Sequence, residues 1–485
     1  MKETGSASAG SVVKNFLWRL AERIGAQGVK LLVELVLARI LLPEEYGLIA
    51  MVTVFITVFN VFVDSGLGNA LIQKKDADEL DFASVFWFNV TLCVVLYGLL
   101  YLISPAVASF YRREELCPVL RVLGLQIVIS GVKNVYQAYV SRTMQFRKFF
   151  FSTLGGTLGA AALGIAMACR GYGVWALVAQ QLFNVLTDTV ILSLTVKWHP
   201  KRMFSWVRLK GLLSYGWKLL LSALLDTVYN EARSLIIGKK YTSEDLAFYN
   251  RGEQFPQVIA ANVNTSIDSV LLPTMSREQD ERSRVRAMTR RAIMTSTFLM
   301  APLMVGIACI GLPLVRLILT EKWVPCVPYL RIFCASMLFF PIHTANLNAI
   351  KALGRSDLFL KLEILKKVVG ITLILITMHI SVAAMALSTL VNSILCQMIN
   401  SWPNRKLLDY RYRDQLADIL PNILTAAAMG ACVFAVGLLG LPDWATLLIQ
   451  VPLGAAVYAG LSALLKNESY GYLLSVLKNF RRKNV

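Results

Sequence analysis

The sequence predicts an all-α polytopic membrane protein: two pseudo-symmetric six-helix bundles around a central cavity, followed by two C-terminal helices. Three observations predict this class. Of the 485 residues, 56% are hydrophobic and only 16% are charged, too little polar surface to cover the cores of a soluble chain of this length. The apolar residues lie in blocks near the roughly 20 residues a helix needs to cross hydrocarbon, and the short alternating strands of a β-barrel are absent. The second half of the chain also repeats features of the first, in the same order.

Taken in order, the apolar blocks predict spans at 15–41, 46–71, 84–105, 116–141, 150–169 and 173–196. After the polar stretch KWHPKRMFSWVRLK come spans at 213–238, 255–276, 290–319, 327–350, 360–379 and 382–400. Two more, 417–439 and 444–465, precede a basic tail. The count is 14, or 12 if the last pair packs differently. The expected division is a first bundle over 1–200, a second over 201–410, and 411–485 holding the last two helices and the tail.

Lys and Arg at the helix ends set the orientation. One side carries Lys74, Lys75, Arg142, Arg147, Lys148, the run Lys197 to Lys210, the cluster Arg277 to Arg291 and the basic tail. By the positive-inside bias that side is cytoplasmic, and both termini lie there. The same asymmetry accounts for most of the net charge of +19, so the charge implies no nucleic-acid partner. Trp198, Trp206, Trp217 and Trp402, with Trp323 and Trp444 opposite, are expected in interfacial belts. Residues 1–10 lack the ordered regions of a cleavable signal. The eight scattered cysteines suggest neither a metal site nor a disulfide framework. No GxxxxGK[ST] motif occurs, which excludes a P-loop ATPase. No connection exceeds about 20 residues, well short of a soluble catalytic domain, so no enzyme activity is expected.

The repeat is carried by several matches. NVFVDS at Asn60 recurs as NTSIDS at Asn264, CPVLRVLG at Cys117 as CVPYLRIF at Cys326, and RTMQFRK at Arg142 as RSDLFLK at Arg355. PEEYGLIA at Pro43 and GVWAL at Gly173 have weaker counterparts at Ser243 and Ala383. Six spans per repeat is an even number, so both halves enter the membrane the same way round, as in transporters whose halves rock about a central site.

Charges within the spans mark candidate sites, because a charge at the bilayer centre costs at least about 2.5–3.5 kcal/mol. Arg19, Arg23, Lys30 and Glu34 fall within roughly 60 degrees on one helix face, and Lys218, Asp226 and Arg233 within roughly 80 degrees on another. With Lys133, these line a cationic cavity suited to an anionic head group such as a diphosphate. The alternative is that the arginines snorkel and Lys30 pairs with Glu34 structurally. Asn60 and Asp64, Asn264 and Asp268, and Asp188 are candidates for coupling to a proton or Na⁺. Asp64 and Asp268 have a plainer reading as residues at a broken or kinked helix end. His343, at the repeat position of Lys133, reads as a hydrogen-bonded packing residue. No bound cofactor or metal is expected.

The segments LVLARILLPEEYGLIAMVTVF, DSGLGNALIQKK, LIIGKKYTSEDLAFYNRGEQFPQ, LLPTMSREQDE and EKWVPCVPYLRI resemble the Wzx-type oligosaccharide flippases. These are the polysaccharide transporter family of the multidrug/oligosaccharidyl-lipid/polysaccharide superfamily. The similarity runs from about Leu32 to Lys406 and is nearest the exopolysaccharide and lipopolysaccharide export branch. Ala38, Arg39, Leu41, Pro43, Tyr46 and Gly47 match that branch's A-R-x-L-x-P-x-x-[FY]-G pattern. The resemblance implies flipping of a polyprenyl-diphosphate-linked oligosaccharide across a bacterial cytoplasmic membrane. It implies partners among other polysaccharide assembly proteins, and a monomer is expected. A proton- or sodium-coupled drug exporter on the same scaffold is the alternative, and a membrane polymerase or ligase a further one.

Overall fold

The computed structural model describes residues 25, 27–64, 66–74 and 76–483, without the side chains of 214, 215, 218 and 476–483. Among the described residues there are helices and no strands. They form two compact units, one through Ala247 and one from Phe248.

The first unit contains α1 (27–40), α2 (Pro43–Asp64), α3 (Leu67–Gln73), α4 (Glu79–Tyr111), α5 (Leu116–Arg142), α6 (Phe146–Cys169), α7 (Val174–Thr195) and α8 (Trp206–Lys240). Its first two blocks are shaped by local backbone chemistry. The expected span 46–71 is two helices, because Gly66 takes φ 70°, which ends α2 and starts α3, a conformation glycine adopts without steric cost. α4 begins at a capping box in which Asp78 and Asp81 satisfy each other's backbone N–H groups. Helices α4 to α7 pack as neighbours, and α8 lies against α2, α3 and α4. The boundary between the units falls within α9.

The second unit holds most of α9 (Ser243–Arg277), then α10 (Arg282–Leu319), a 3₁₀ turn (Glu321–Cys326), α11 (Val327–Met337), α12 (Phe340–Ala352), α13 (Ser356–Thr377) and α14 (Val382–Ser401). It ends with α15 (Asn404–Leu407), α16 (Tyr412–Gly437), α17 (Asp443–Leu464) and α18 (Glu468–Lys483). α16 and α17 pack on α10 within this unit. A buried amide group ties its helices together. Asn346 donates to Gln415 at 2.9 Å and its own carbonyl oxygen accepts from Asn404 at 2.7 Å and Gln415 at 3.1 Å. Such a network stabilises to the extent that its donors and acceptors meet, and one acceptor here, Asn404 Oδ1, is buried without a partner among the described residues.

The repeat is visible in the helix starts. Pro43 and Ser243, Glu79 and Arg282, Leu116 and Val327, Phe146 and Ser356, and Val174 and Val382 each open equivalent helices. Arg121 donates back to Ser104 of α4 at 2.8 Å, and its repeat mate Arg331 donates back to the Ala308 carbonyl of α10 at 3.2 Å.

Ten helical segments among the described residues are long and apolar enough to cross a membrane, with α2 and α3, the 3₁₀ turn with α11 and α12, and α14 with α15 each counted as one. They coincide with ten of the expected spans. The spans expected at 213–238, 255–276 and 360–379 fall on α8, α9 and α13, which have the length but carry too many polar and charged side chains to meet the same measure. The span expected at 15–41 lies largely outside the described residues. Two of the tryptophans depart from the expected belts. Trp198 is 8% exposed inside an aromatic cluster with Phe82, Phe86, Tyr136 and Tyr139, and Trp323 is fully buried beneath Arg251. Trp206, Trp217, Trp402 and Trp444 are exposed. All eight cysteines are free thiols.

Candidate functional site

The polar interior of the first unit is built on α2, α5, α7 and α8. On α5, adjacent residues reach in two directions. Lys133 Nζ meets Asp188 Oδ2 of α7 at 2.5 Å, with the two side chains 20% and 7% exposed. Asn134 Nδ2 donates to Asp64 Oδ1 at 3.0 Å, at the end of α2. Consecutive helical residues point about 100° apart, which is how one turn of α5 serves two neighbours. Gly156 of α6 makes room for this cluster, since a Cβ there would lie 3.0 Å from the Asn184 carbonyl oxygen and 3.2 Å from Asp188 Cβ.

Arg233 of α8 is only 9% exposed, and among the described residues its Nε and Nη2 have no hydrogen-bond partner. Tyr111 of α4 also has a buried hydroxyl without a partner among the described residues. A guanidinium cannot escape burial by losing its proton, so a buried one requires an anion or hydrogen-bond acceptors to offset its desolvation. Among the described residues, Arg233 is therefore the cation of this unit best placed to receive an anionic group.

The remaining candidates divide sharply. Arg19 and Arg23 lie outside the described residues, as does the side chain of Lys218. Lys30 Nζ stands 3.8 Å from Glu34 Oε1, with Lys30 62% exposed, so the α1 stripe carries the structural pair of the alternative reading. Lys133, expected in a cationic lining, has its charge matched by Asp188, which was expected to serve a different role. Asp226 is exposed on α8. Asn60 has its Oδ1 buried without a partner among the described residues.

The repeated Asn–Asp motif diverges in local structure. Asp64 stands at the α2–α3 break, as its plainer reading expected. Asp268 lies within continuous α9 and is exposed, so no helix end accounts for it. Asn264 is buried and accepts from Thr344 Oγ1 of α12 at 3.0 Å. The helix pair equivalent to that of Lys133 and Asp188 carries neutral chemistry in the second unit. There His343 contacts Ser393 at 3.4 Å and Asn400 at 3.3 Å, the packing role expected of it. Asn134, next in sequence to Lys133, was missed. Its signal was available as one of several polar residues in the span, with Gln126, Ser130, Lys133 and Gln137, but its partner on α2 was not.

The fold defines the class of protein. The lipid II flippase MurJ in an inward closed conformation superposes with a TM-score of 0.75 over 93% of this chain and 98% of its own, at 14% identity. A multidrug-resistance MATE transporter of the MOP superfamily superposes with a TM-score of 0.62 over 80% and 98%, also at 14% identity. This is a helical, multi-pass membrane protein with the MurJ and MATE transporter fold. The family model described as polysaccharide biosynthesis protein matches residues 36–328, and the chain belongs to that family. It is 26% identical to the teichuronic acid biosynthesis protein TuaB of Bacillus subtilis over 79% of this chain and 80% of TuaB. It is 24% identical to the succinoglycan biosynthesis transport protein ExoT of Rhizobium meliloti over 69% and 67%. The lipopolysaccharide biosynthesis protein WzxC of Escherichia coli is 21% identical over 85% and 86%.

Proposed function

We propose that this protein flips polyprenyl-diphosphate-linked oligosaccharide from the cytoplasmic to the outer leaflet of a bacterial cytoplasmic membrane, for surface polysaccharide assembly. The observation that carries the reading is Arg233, a nine-tenths-buried guanidinium with two unpartnered nitrogens. A diphosphate supplies paired oxygens for that planar fork, and a cationic drug would be repelled by it. The flippase fold and the polysaccharide family support the same substrate class.

Transport proceeds by alternating access, with one repeat rocking against the other, and the chain acts as a transporter, not an enzyme. A proton or Na⁺ gradient drives the cycle through Asp64, a partly exposed residue at the end of α2 whose Oδ1 accepts from Asn134. Both termini are cytoplasmic, as the Lys and Arg distribution requires. The protein works as a monomer alongside the other polysaccharide assembly proteins.

The test uses cells lacking the protein and a glycan-specific lectin applied to the outer face. Lipid-linked oligosaccharide accumulates on the inner leaflet, and wild type restores outer display. Arg233→Ala, at normal membrane abundance, lowers display about tenfold or more, as expected for a charged hydrogen bond worth about 1.5–3 kcal/mol. Arg233→Lys keeps the charge but not the bidentate geometry, and retains part of the activity. Normal outer display without the protein would overturn the flippase reading. Full activity of Arg233→Ala would remove Arg233 from the path.

A further inference from the structure

An apolar cavity of about 610 Å³ lies in the second unit between α9, α10 and α18. Along α9 it is lined by Val263, Ile267, Val270 and Leu271, and on α10 by Met288 and Leu299. Its α9 wall runs from Asn262 to Thr274, a length of about 18 Å at 1.5 Å per residue. Four of the five small polar side chains on these walls bond back to their own helices, Thr295 being the fifth. Asn262, Ser266, Thr274 and Ser296 each donate to the carbonyl four residues earlier. The cavity therefore presents hydrocarbon, although Val270 is 66% and Leu299 50% exposed.

One cation enters this apolar lining. Arg291 of α10 sits over the Tyr472 ring of α18, 4.6 Å from its centroid, and both residues line the cavity. Neighbouring arginines are matched by carboxylates: Arg284 by Glu278 and Glu281, Arg286 by Asp409, and Arg290 by Asp418 and Glu468. Among the described residues Arg291 forms no ion pair. The Glu468 carboxylate that binds Arg290 lies within electrostatic reach of Arg291 but makes no direct ion pair with it, so a long hydrocarbon slot beside a guanidinium with free donors is complementary to a ligand with an apolar chain and an anionic head.

We propose that this cavity holds one acyl chain of an anionic membrane phospholipid, with its phosphate on Arg291. Cavities of about 300–1,000 Å³ enclose a single molecule of drug size, which fits one acyl chain and not a whole polyprenyl chain. The sequence of α18 supports this occupant. Its tyrosines and leucines precede Lys478, Arg481, Arg482 and Lys483, the order of an interfacial helix drawn to anionic lipid. The inference stands apart from the transport substrate, so either can fail alone.

The experiment places the full-length protein in phosphatidylcholine nanodiscs with phosphatidylglycerol carrying a diazirine at mid-chain, and maps crosslinks by peptide mass spectrometry. Wild type is labelled within 263–271 and 288–299. Arg291→Gln lowers that labelling about tenfold, as loss of a charged hydrogen bond predicts, while Arg291→Lys retains most of it. Val270→Trp blocks the slot and abolishes labelling; melting temperatures near wild type show that the variants are folded. Equal labelling by a phosphatidylcholine analogue, unchanged in Arg291→Gln, would overturn the proposal. Displacement by polyprenyl phosphate but not by unlabelled phosphatidylglycerol would also overturn it and assign the cavity to the carrier lipid.

Discussion

The pair Lys133–Asp188 offers the sharpest test of how the first unit is held together. The side chains are 20% and 7% exposed and meet at 2.5 Å, so solvent screens them little. Asp188→Leu leaves the Lys133 ammonium buried without its partner, a loss of about 3–5 kcal/mol. Lys133→Met leaves the opposite charge and costs a similar amount. The double variant removes both charges and replaces them with apolar volume, which is near neutral for buried pairs. The four proteins form a double-mutant cycle: with each single variant losing about 3–5 kcal/mol and the double variant near neutral, the coupling is about 6–10 kcal/mol, well above the roughly 0.3–0.5 kcal/mol scatter of independent sites. In a unit of about 250 residues each kcal/mol moves the melting temperature by about 2–4 °C, so each single variant melts roughly 6–20 °C below wild type. Thermal melts of the purified proteins in one detergent read the cycle. Additive losses, with the double variant the least stable, would refute the reasoning. Glycan display in cells then separates structure from transport. If the pair is purely structural, the double variant exports normally; if Asp188 couples an ion, the double variant is stable and silent.

Two further outcomes follow from the geometry. Glu468 at the start of α18 binds Arg290, whose hydrogen bond holds its carboxyl below the usual range. Its contribution to docking α18 is full above about pH 4.5 and is lost as pH falls through the lowered value. Hydrogen exchange over residues 468–475 should rise on acidification, and Glu468→Gln should show that faster exchange already at neutral pH; exchange insensitive to both changes would remove the clamp. Gly47→Ala places a Cβ 1.8 Å from the Ser243 carbonyl oxygen, a backbone atom that cannot swing away. It should cost about 1–3 kcal/mol or more as overpacking, and a melting temperature equal to wild type would show that the two helix starts do not touch in this way.

Much of this architecture was legible along the chain. The apolar blocks marked ten helical segments, and the recurrence of Arg121 as Arg331 marked equivalent helices whose arginines reach back to the helix before. The weaker legibility lay in partners. Lys133 and Asp188 were each identified as polar residues inside a span, yet they were assigned to different tasks. Helix periodicity says which face a residue occupies, not which helix covers that face. Trp198 and Trp323 illustrate the same limit, because an indole near a span end has one composition whether it meets head groups or a packed aromatic core.

By itself, then, the sequence determined the helical membrane class, the two-fold repeat and the family. Those properties depend on hydropathy, period and motif order, which are one-dimensional. Only the tertiary structure decided which charges are matched and which are not. It paired Lys133 with Asp188 and, among the described residues, left Arg233 and Arg291 without a direct ion pair, because the desolvation of a charge and its compensation are set by neighbours far apart in sequence.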